Sequence, residues 1–430
     1  MRILVIGAGG REHALIWRIG RDPGVTEVLA APGNPGISAN FRCPSVDPLN
    51  TADVLALANR ERVDLTVIGP EAPLEKGVGN LFREAGRPIV GSSRLGAALE
   101  CSKVHSKHFM AQHGIPTARF AVCETLEAAL SAVDGSQFGF PVVVKADGLA
   151  AGKGVVVASD RDEAEHAVRA ALVDGQFGAA GSRLVIEECL VGPEVSFFVL
   201  CDGDSAIPLS TAQDHKRIFD DDRGPNTGGM GAFAPSPLVD DAFTADIIRR
   251  VVEPVLAGMK AVGEPYIGFL YVSLMLTADG PKVIEFNVRF GDPEAQAVLP
   301  LIEGNFSDAL LAAATGRLRD AHLTVSPDRT VGVVLASHGY PASSDNGRVI
   351  EGLEAAAAMP DVLIFHSGTR IVDGRVVTAG GRVLTVVGRG SSYEQAMATA
   401  YAAVDRVTFE GRQFRRDIGR KAVQIEAGVR

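Results

Sequence analysis

The stretch 2–6, apolar apart from its first residue, runs without interruption into Gly7-Ala8-Gly9-Gly10. A strand with no polar register has to be buried on both faces, and such strands belong to parallel sheets covered by helices. The glycine turn then feeds a helix expected near 11–21. A second strand at 26–31, a helical stretch at 50–60 and a third strand at 64–68 repeat the alternation that builds a doubly wound sheet. This first unit is expected over 1–103. Open α/β sheets bind ligands beyond the carboxyl ends of their strands. Those ends carry Gly9, Gly10, Arg11 and Glu12, then Gly33 and Asn34, then Pro70 and Glu71. A phosphate at the first helix N-terminus fits this pattern. A nicotinamide cofactor fits less well, because Glu12 stands where G-x-G-x-x-G needs its third glycine.

The next unit, expected over 104–328, changes character. Pro141 to Lys145 reads as a strand and Gly154 to Val157 as another, joined by a Gly-rich turn into a flexible hairpin. With a helix at 160–173 and a strand at 183–187 they make a mobile small lobe at about 122–192. A larger lobe follows, with strands near 195–201, 267–276 and 281–286. Its clearest helix is near 246–262, where Ile248, Val251, Val252, Val255 and Met259 form one apolar face. From 329 to 430 the pattern is a strand-rich α+β unit, with strands at 331–336, 362–366 and 383–388 and a helix at 392–405. A chain of 430 residues is too long for one core, which agrees with three units.

A formal net charge of −10 argues against general nucleic-acid binding, though not against a local basic pocket for phosphates. Five scattered cysteines without a C-x-x-C pair suit a reducing cytoplasm. No apolar run reaches membrane-spanning length. Nothing in the sequence demands more than a monomer.

The loop from Asp147 through Gly148, Gly152 and Lys153 to Gly154 leaves backbone N–H groups open to a polyphosphate, with Lys153 and Lys145 to offset its charge. It is not a P-loop, since glycine rather than Ser or Thr follows the lysine and a strand rather than a helix comes next. A plain glycine hairpin with a surface lysine is the competing reading. In the segment 283–294, residues two apart on a strand share a face, so Glu285, Asn287 and Arg289 are expected to project together. Carboxylate plus amide oxygen suits a hard cation such as Mg²⁺ or Mn²⁺. Arg289 suits a carboxylate or an oxyanion. The run Glu187-Glu188-Cys189-Leu190 to Glu194 could be an adenine hinge, with Glu194 accepting from ribose hydroxyls; acids at a strand end are also commonly just solvated. Asp214 and Lys216 cluster charge beside an apolar strand, and Asn226, Thr227, Gly228 and Gly229 form a backbone-rich turn. Together these could bind a phosphorylated sugar or a small zwitterion, or form a charged surface loop.

With those residues in view, the chain resembles the glycinamide ribonucleotide synthetase (phosphoribosylamine–glycine ligase) family of ATP-grasp enzymes. The segments are GAGGREHAL at 7–15, APGNPG at 31–36, GPEAPL at 69–74, KADGLAAGKGV at 145–155, QDHKR at 213–217, GPNTGGMGA at 224–232, EFNVRFGDPE at 285–294, GGRVLTVVG at 380–388 and RRDIG at 415–419. They span essentially the whole chain. The resemblance implies an ATP-grasp fold preceded by a doubly wound parallel-sheet domain and followed by a strand-rich C-terminal domain. It implies a reaction of ATP, glycine and 5-phosphoribosylamine through a glycyl phosphate, and a divalent metal at Glu285 and Asn287. ATP would meet Lys103, Lys145, the 147–154 loop and the hinge. Arg289, Lys145 and Asp214 would be catalytic. Gly9, Gly10, Arg11, Glu12, Gly33, Asn34, Pro70, Glu71, Asp214, Lys216, Asn226, Thr227, Gly228, Gly229, Arg289, Gly291 and Asp292 would bind substrate. Two departures accompany it: Cys189 replaces an aromatic at the hinge, and the strand before Glu285 (Leu270 to Met275) carries no acid.

Three other readings compete. A carboxylase of the same superfamily would share the ATP site but has no evident need of the QDHKR and GPNTGGMG segments. A nicotinamide-dependent dehydrogenase explains only the first 70 residues or so. A catalytically dead nucleotide-binding regulator would be expected to lose the metal pair or Arg289, and both are present.

Overall fold

The computed structural model describes residues 1–134, 138–148 and 154–428. The first four strands form a parallel sheet in the order Glu27–Pro32, Arg2–Gly7, Leu65–Ile68, Ile89–Val90. Alternate residues of the opening strand enter different cores. Ile3 and Val5 pack with Ala14, Leu15 and Ile19 of the helix Gly10–Ile19. Leu4 and Ile6 pack with Val54, Leu57 and Phe82 on the other side. Burial on both faces is the physical reason that the run is apolar on both registers. The helix Thr51–Arg60 starts where Asn50 caps it, its Oδ1 accepting from Asp53 N at 3.2 Å.

The small lobe is an antiparallel sheet in the order Phe120–Cys123, Leu184–Glu188, Val142–Ala146, Val155–Ala158. Val142, Val144, Ala146, Leu184 and Ile186 bury one face under the helices Leu126–Asp134 and Arg161–Leu172. That leaves Lys145 and Glu187 on the opposite face, turned toward the rest of the molecule.

The large lobe and the C-terminal segment share one eight-stranded sheet. Its order is Gly280–Asn287, Ile267–Thr277, Glu194–Asp202, Ala206–Asp214, Gly231–Ala234, Arg329–Ala336, Arg382–Gly390, Val362–His366. The short strand Gly231–Ala234 is the splice: it pairs with Gln213 and Asp214 on one side and with Thr330 to Val333 on the other. The division expected at 328 therefore separates stretches of chain within a continuous hydrogen-bonded sheet.

Two elements differ from expectation for identifiable reasons. The stretch 246–262 is two α-helices, Asp241–Ile247 and Glu253–Ala261, joined by a wide π-type turn at Ile248–Val252. Pro254 lies just past that turn; it lacks an N–H and crowds the carbonyl one turn back, and a wider turn accommodates both defects. The sequence reading also missed the hairpin Thr369–Val372 with Arg375–Thr378. Its two-residue connection, Asp373-Gly374, has φ of 48° and 74°, the left-handed pair that an Asp-Gly hairpin turn requires.

Several ionisable groups are buried at the seams. His13 Nδ1 accepts from the backbone N–H of His366 at 2.9 Å, joining the first helix to the last strand of the long sheet. Burial, reinforced by His366, pushes the His13 pKa down to about 3. Burial likewise pushes His366 to about 4, and burial with Arg415 and Lys421 nearby takes His215 to about 4. These rings stay neutral in the folded chain, whereas unfolded histidine takes up a proton below about pH 6.5. Stability should therefore fall with pH from about 6.5 toward about 4 as the unfolded state gains protons that the native state does not. Urea unfolding across that window should show this loss, and His13→Gln should flatten the slope by roughly one proton.

Candidate active site

Register on the long sheet brings its functional residues together. Ser196 lies opposite Ser273, and Ser273 opposite Glu285; Phe198 lies opposite Tyr271, and Tyr271 opposite Asn287. Ala212 pairs with Ser196, so Asp214 falls on the same face as Glu194. Directly paired residues share a face. One face thus carries Glu194, Ser196, Asp214, Tyr271, Ser273, Glu285 and Asn287 across four strands. The other face of the same strands buries Phe197, Val199, Leu270, Val272, Leu274 and Phe286.

Polar partners organise this row. Tyr271 Oη donates to Glu294 Oε1 at 3.0 Å and lies 2.9 Å from Ser196 Oγ. Lys216 Nζ pairs with Glu194. Burial pushes Asp214 upward, with Glu194 and Glu294 adding to it and Lys216 opposing it. Burial also pushes Glu285 up, but Lys145, Lys216, Lys103 and Arg289 outweigh it and hold the carboxylate below its ordinary range. Asn287 is 7% exposed, and its side chain has no hydrogen bond among the described residues. An ionised carboxylate beside an amide oxygen with no protein partner among the described residues fits a hard divalent cation. Ser273 is the residue facing Glu285 on the neighbouring strand, and no group of three or more His, Cys, Asp or Glu able to hold a metal occurs among the described residues.

The small lobe faces this row across a narrow cavity lined by Lys103, Ser106, Lys107, Lys145, Ile284 and Glu285. Glu187 is 4% exposed and forms ion pairs with Lys145 and, at 2.5 Å, with Lys107. Burial lowers the Lys107 pKa to about 8, against the pull of Glu187. Lys107 Nζ also donates to Thr117 Oγ1 at 2.7 Å. Lys107 carries no expectation from sequence, though it sits one turn after Lys103 on the helix Lys103–Gln112, an i,i+4 pair that marks a basic face. Lys103 Nζ donates to the carbonyl of Gly148 at 3.2 Å. Asp147 accepts from Ser102 Oγ at 2.9 Å, Val104 N at 3.1 Å and Arg183 at 2.5 Å, stapling the loop base to that helix. Gly152 and Lys153 lie outside the described residues, while Gly148 and Gly154 flank them.

Glu188 projects to the opposite side from Glu187. Burial works against its ionisation, yet bonds from Arg119 and Lys282 bring its pKa to about 2. It is a salt-bridged rim residue; Cys189 and Leu190 follow it at the strand end. Thr227 N and Oγ1 each donate to the Lys216 carbonyl at 2.8 Å, closing the hairpin between Lys216 and the Asn226–Gly229 turn. Gly229 and Gly291 are close-approach positions: a Cβ would meet Pro293 at 2.5 Å and the Glu294 carboxylate at 2.4 Å respectively.

Three family models of phosphoribosylglycinamide synthetase match: the N domain over 1–100, the ATP-grasp (A) domain over 101–295 and the C domain over 330–421. The chain belongs to the phosphoribosylglycinamide synthetase family. A phosphoribosylamine–glycine ligase of Xylella fastidiosa (strain Temecula1) is 48% identical over 435 residues, covering 100% of both chains. One from Xanthomonas axonopodis pv. citri is 50% identical over 432 residues, covering 99% of each. The solved phosphoribosylamine–glycine ligase of Thermotoga maritima superposes with a TM-score of 0.85 at 33% identity, over 97% of this chain and 100% of that one. This family member is an ATP-dependent ligase, and its ATP-grasp domain uses ATP with a divalent metal.

Three expectations for the synthetase site need correction. Arg289 does not share the Glu285 and Asn287 row. The strand ends at Asn287, because the Val288 N–H donates to Glu100 Oε2 at 2.8 Å and leaves the ladder. Arg289 then pairs with Glu100 and, at 3.2 Å, with Glu71. Second, Glu12 rather than an open anion site fills the space at the first helix. Its carboxylate accepts from Gly9 N and Arg11 Nε, each at 2.6 Å, and a Cβ on Gly7 or Gly69 would lie 2.3 Å from the Glu12 side chain. Those glycines make room for Glu12, and the negative charge already sits where a phosphate was expected. Third, the Asn34 side chain is committed to the fold: Nδ2 donates to the carbonyls of Ala8 and His366, both at 2.8 Å, and Oδ1 caps Ile37 N. Pro70 starts the short helix Glu71–Glu75, so Glu71 reaches the site from the end of a parallel strand as expected of this sheet. Gly33 takes φ of 73° next to Cys43.

Arg289 bridges Glu71, Glu100 and the Phe290 carbonyl with a planar fork that a point charge cannot reproduce. Arg289→Lys should lower kcat by about 100-fold, and a loss under about threefold in steady-state assays would count against its role.

Proposed function

We propose that this chain joins glycine to 5-phosphoribosylamine, using ATP and passing through glycyl phosphate, to give glycinamide ribonucleotide, ADP and phosphate. The observation that carries the reading is the polar row on one sheet face, set opposite Lys145 and ringed by lysines, in a chain similar along its whole length to phosphoribosylamine–glycine ligases.

A carboxylate is a poor electrophile. Transfer of the γ-phosphoryl group breaks its bond to ADP and forms one to a glycine carboxylate oxygen, creating a good leaving group. Lys103 and Lys145 both line the cavity and offset the polyphosphate charge. Glu187 holds Lys145 from behind, so that lysine arrives already ordered. Glu285 and Asn287 would hold Mg²⁺, or Mn²⁺, which when bound neutralises charge on the phosphate oxygens. Arg289, anchored by Glu71 and Glu100, stabilises negative charge on the acyl phosphate and the tetrahedral species that follows. The amine of phosphoribosylamine then attacks the acyl carbon. A C–N bond forms, the C–O bond to phosphate breaks, and the amine loses a proton. Asp214, whose carboxyl takes up a proton more readily than an ordinary aspartate, stands on the same face to receive it. Closure of the small lobe would keep water from the acyl phosphate. Five free cysteines accord with a cytoplasmic setting for this chemistry.

Inorganic phosphate release from ATP and Mg²⁺ should require glycine and freshly generated phosphoribosylamine together. Release supported by bicarbonate instead would overturn the ligase reading in favour of a carboxylase. Glu285→Gln should reduce turnover by about 100-fold or more while changing ATP affinity far less. Unchanged turnover would remove the metal assignment.

A further inference from the structure

Most cations of this site pair closely with carboxylates, while Lys103 meets only the Gly148 carbonyl among the described residues. Lys145 pairs with Glu187, Lys216 with Glu194, Arg11 with Glu12, and Arg289 with Glu71 and Glu100. Arg382 differs. It begins the strand Arg382–Gly390 in the C-terminal segment, and its Nη1 donates to two backbone carbonyls, Gly228 at 2.6 Å and Asp292 at 2.5 Å. Two donors of Nη1 are thereby used. Nε and Nη2 make no hydrogen bond among the described residues, which leaves three N–H donors free, two of them side by side along the Nε and Nη2 edge of the guanidinium. Nη1 also forms a long ion pair with Asp292 Oδ1 at 3.4 Å, an oxygen that accepts from Gln296 Nε2 at 2.9 Å, and this leaves the Nε and Nη2 edge untouched. The Arg382 side chain is 23% exposed, so its free edge is reachable from solvent.

The surroundings are assembled from all three parts of the chain. Gly228 is a close-approach glycine, since a Cβ there would stand 3.1 Å from the guanidinium carbon. Gly228 N in turn donates to Tyr340 Oη at 2.9 Å. Asp292 Oδ2 lies 3.6 Å from where a Cβ on Gly9 would be, and the Ser367 hydroxyl lies 2.6 Å from the corresponding point on Gly10. A carboxylate suited to sugar hydroxyls, a free hydroxyl and an arginine fork therefore converge beside the glycine turn of the first domain. The fork is pre-ordered by two carbonyls, so little side-chain freedom remains to be lost when an anion binds.

We propose that Arg382 receives the phosphate group of the phosphorylated sugar substrate through its free Nε and Nη2 edge. This rests on the function proposed above and assigns one part of it: the C-terminal segment supplies the determinant for the 5-phosphate. A planar two-nitrogen edge matches two phosphate oxygens, whereas a lysine would offer a single point of charge.

The test uses ribose 5-phosphate and ribose as competitors of phosphoribosylamine, with the wild-type chain, Arg382→Gln and Arg382→Lys. In the wild type, ribose 5-phosphate should inhibit far more tightly than ribose. Arg382→Gln should weaken ribose 5-phosphate by about 100-fold, leave inhibition by ribose unchanged, and keep KM for ATP and glycine within about twofold. Arg382→Lys should recover part of the preference. The proposal is overturned if Arg382→Gln keeps the wild-type preference for the phosphorylated sugar. It is equally overturned if ATP or glycine binding falls in parallel, which would mean a structural role or a role at the nucleotide. Should Arg382→Gln fail to fold, Arg382→Lys decides on the same ratio: an unchanged preference rejects the proposal and a reduced one supports it. A wild-type chain that shows no turnover with glycine and phosphoribosylamine would instead reject the proposed function itself.

Discussion

The double ion pair of Arg289 with Glu71 and Glu100 fixes where three stretches of chain meet. Glu71 follows a strand of the first sheet, Glu100 lies near the end of the helix Arg94–Cys101, and Arg289 follows the strand of Glu285 and Asn287. Burial works against all three charges, raising Glu100 in particular. Desolvation of each ion costs several kcal/mol, so such a set contributes little net stability and a great deal of geometric definition. Its consequence is an arginine that stands at the site with its orientation already set. The Val288 N–H bond to Glu100 belongs to the same construction, since it ends the strand at the residue where the guanidinium must turn aside.

The same economy of buried charge recurs elsewhere. Glu187 orders Lys145 and Lys107, and Glu12 fills the glycine-lined space of the first domain. At the tip of the hairpin bearing Lys216 and Thr227, the fully buried Arg415 forks onto Asp417 and reaches Asp222. Asp221 and Asp222 sit at φ of 57° and 52°, a region that non-glycine residues occupy at a cost, and Arg420, Lys421 and the Asp221 N–H bond to Asp417 hold them there. The C-terminal RRDIG segment thus secures a loop some 190 residues earlier in the chain.

Much of this was readable in advance. The opening apolar run declared a strand buried on both faces, and Ile3 and Leu4 do enter different cores. Alternation along 285–287 placed Glu285 and Asn287 on one face, as their register with Ser273 and Tyr271 bears out. The Asp373-Gly374 turn was equally legible and was passed over. Glycines misled in one respect: a small residue signals close approach, but not whether the approaching group is a ligand or, as with Glu12, another part of the protein.

What the sequence by itself determined is local. Periodicity, glycine turns and the chemistry of short motifs depend on neighbours within a few residues, and they were enough to indicate the fold class, the family resemblance and the shared face of Glu285 and Asn287. Only the tertiary structure decided how the charges are matched. Glu100, Lys107, Glu294 and Arg382 act on partners far along the chain or across the sheet, and nothing in their own neighbourhoods announces those partners. Whether a buried cation is neutralised or left with donors free depends on which carboxylates and carbonyls folding brings within about 3 Å of it, and that is a property of the packed whole.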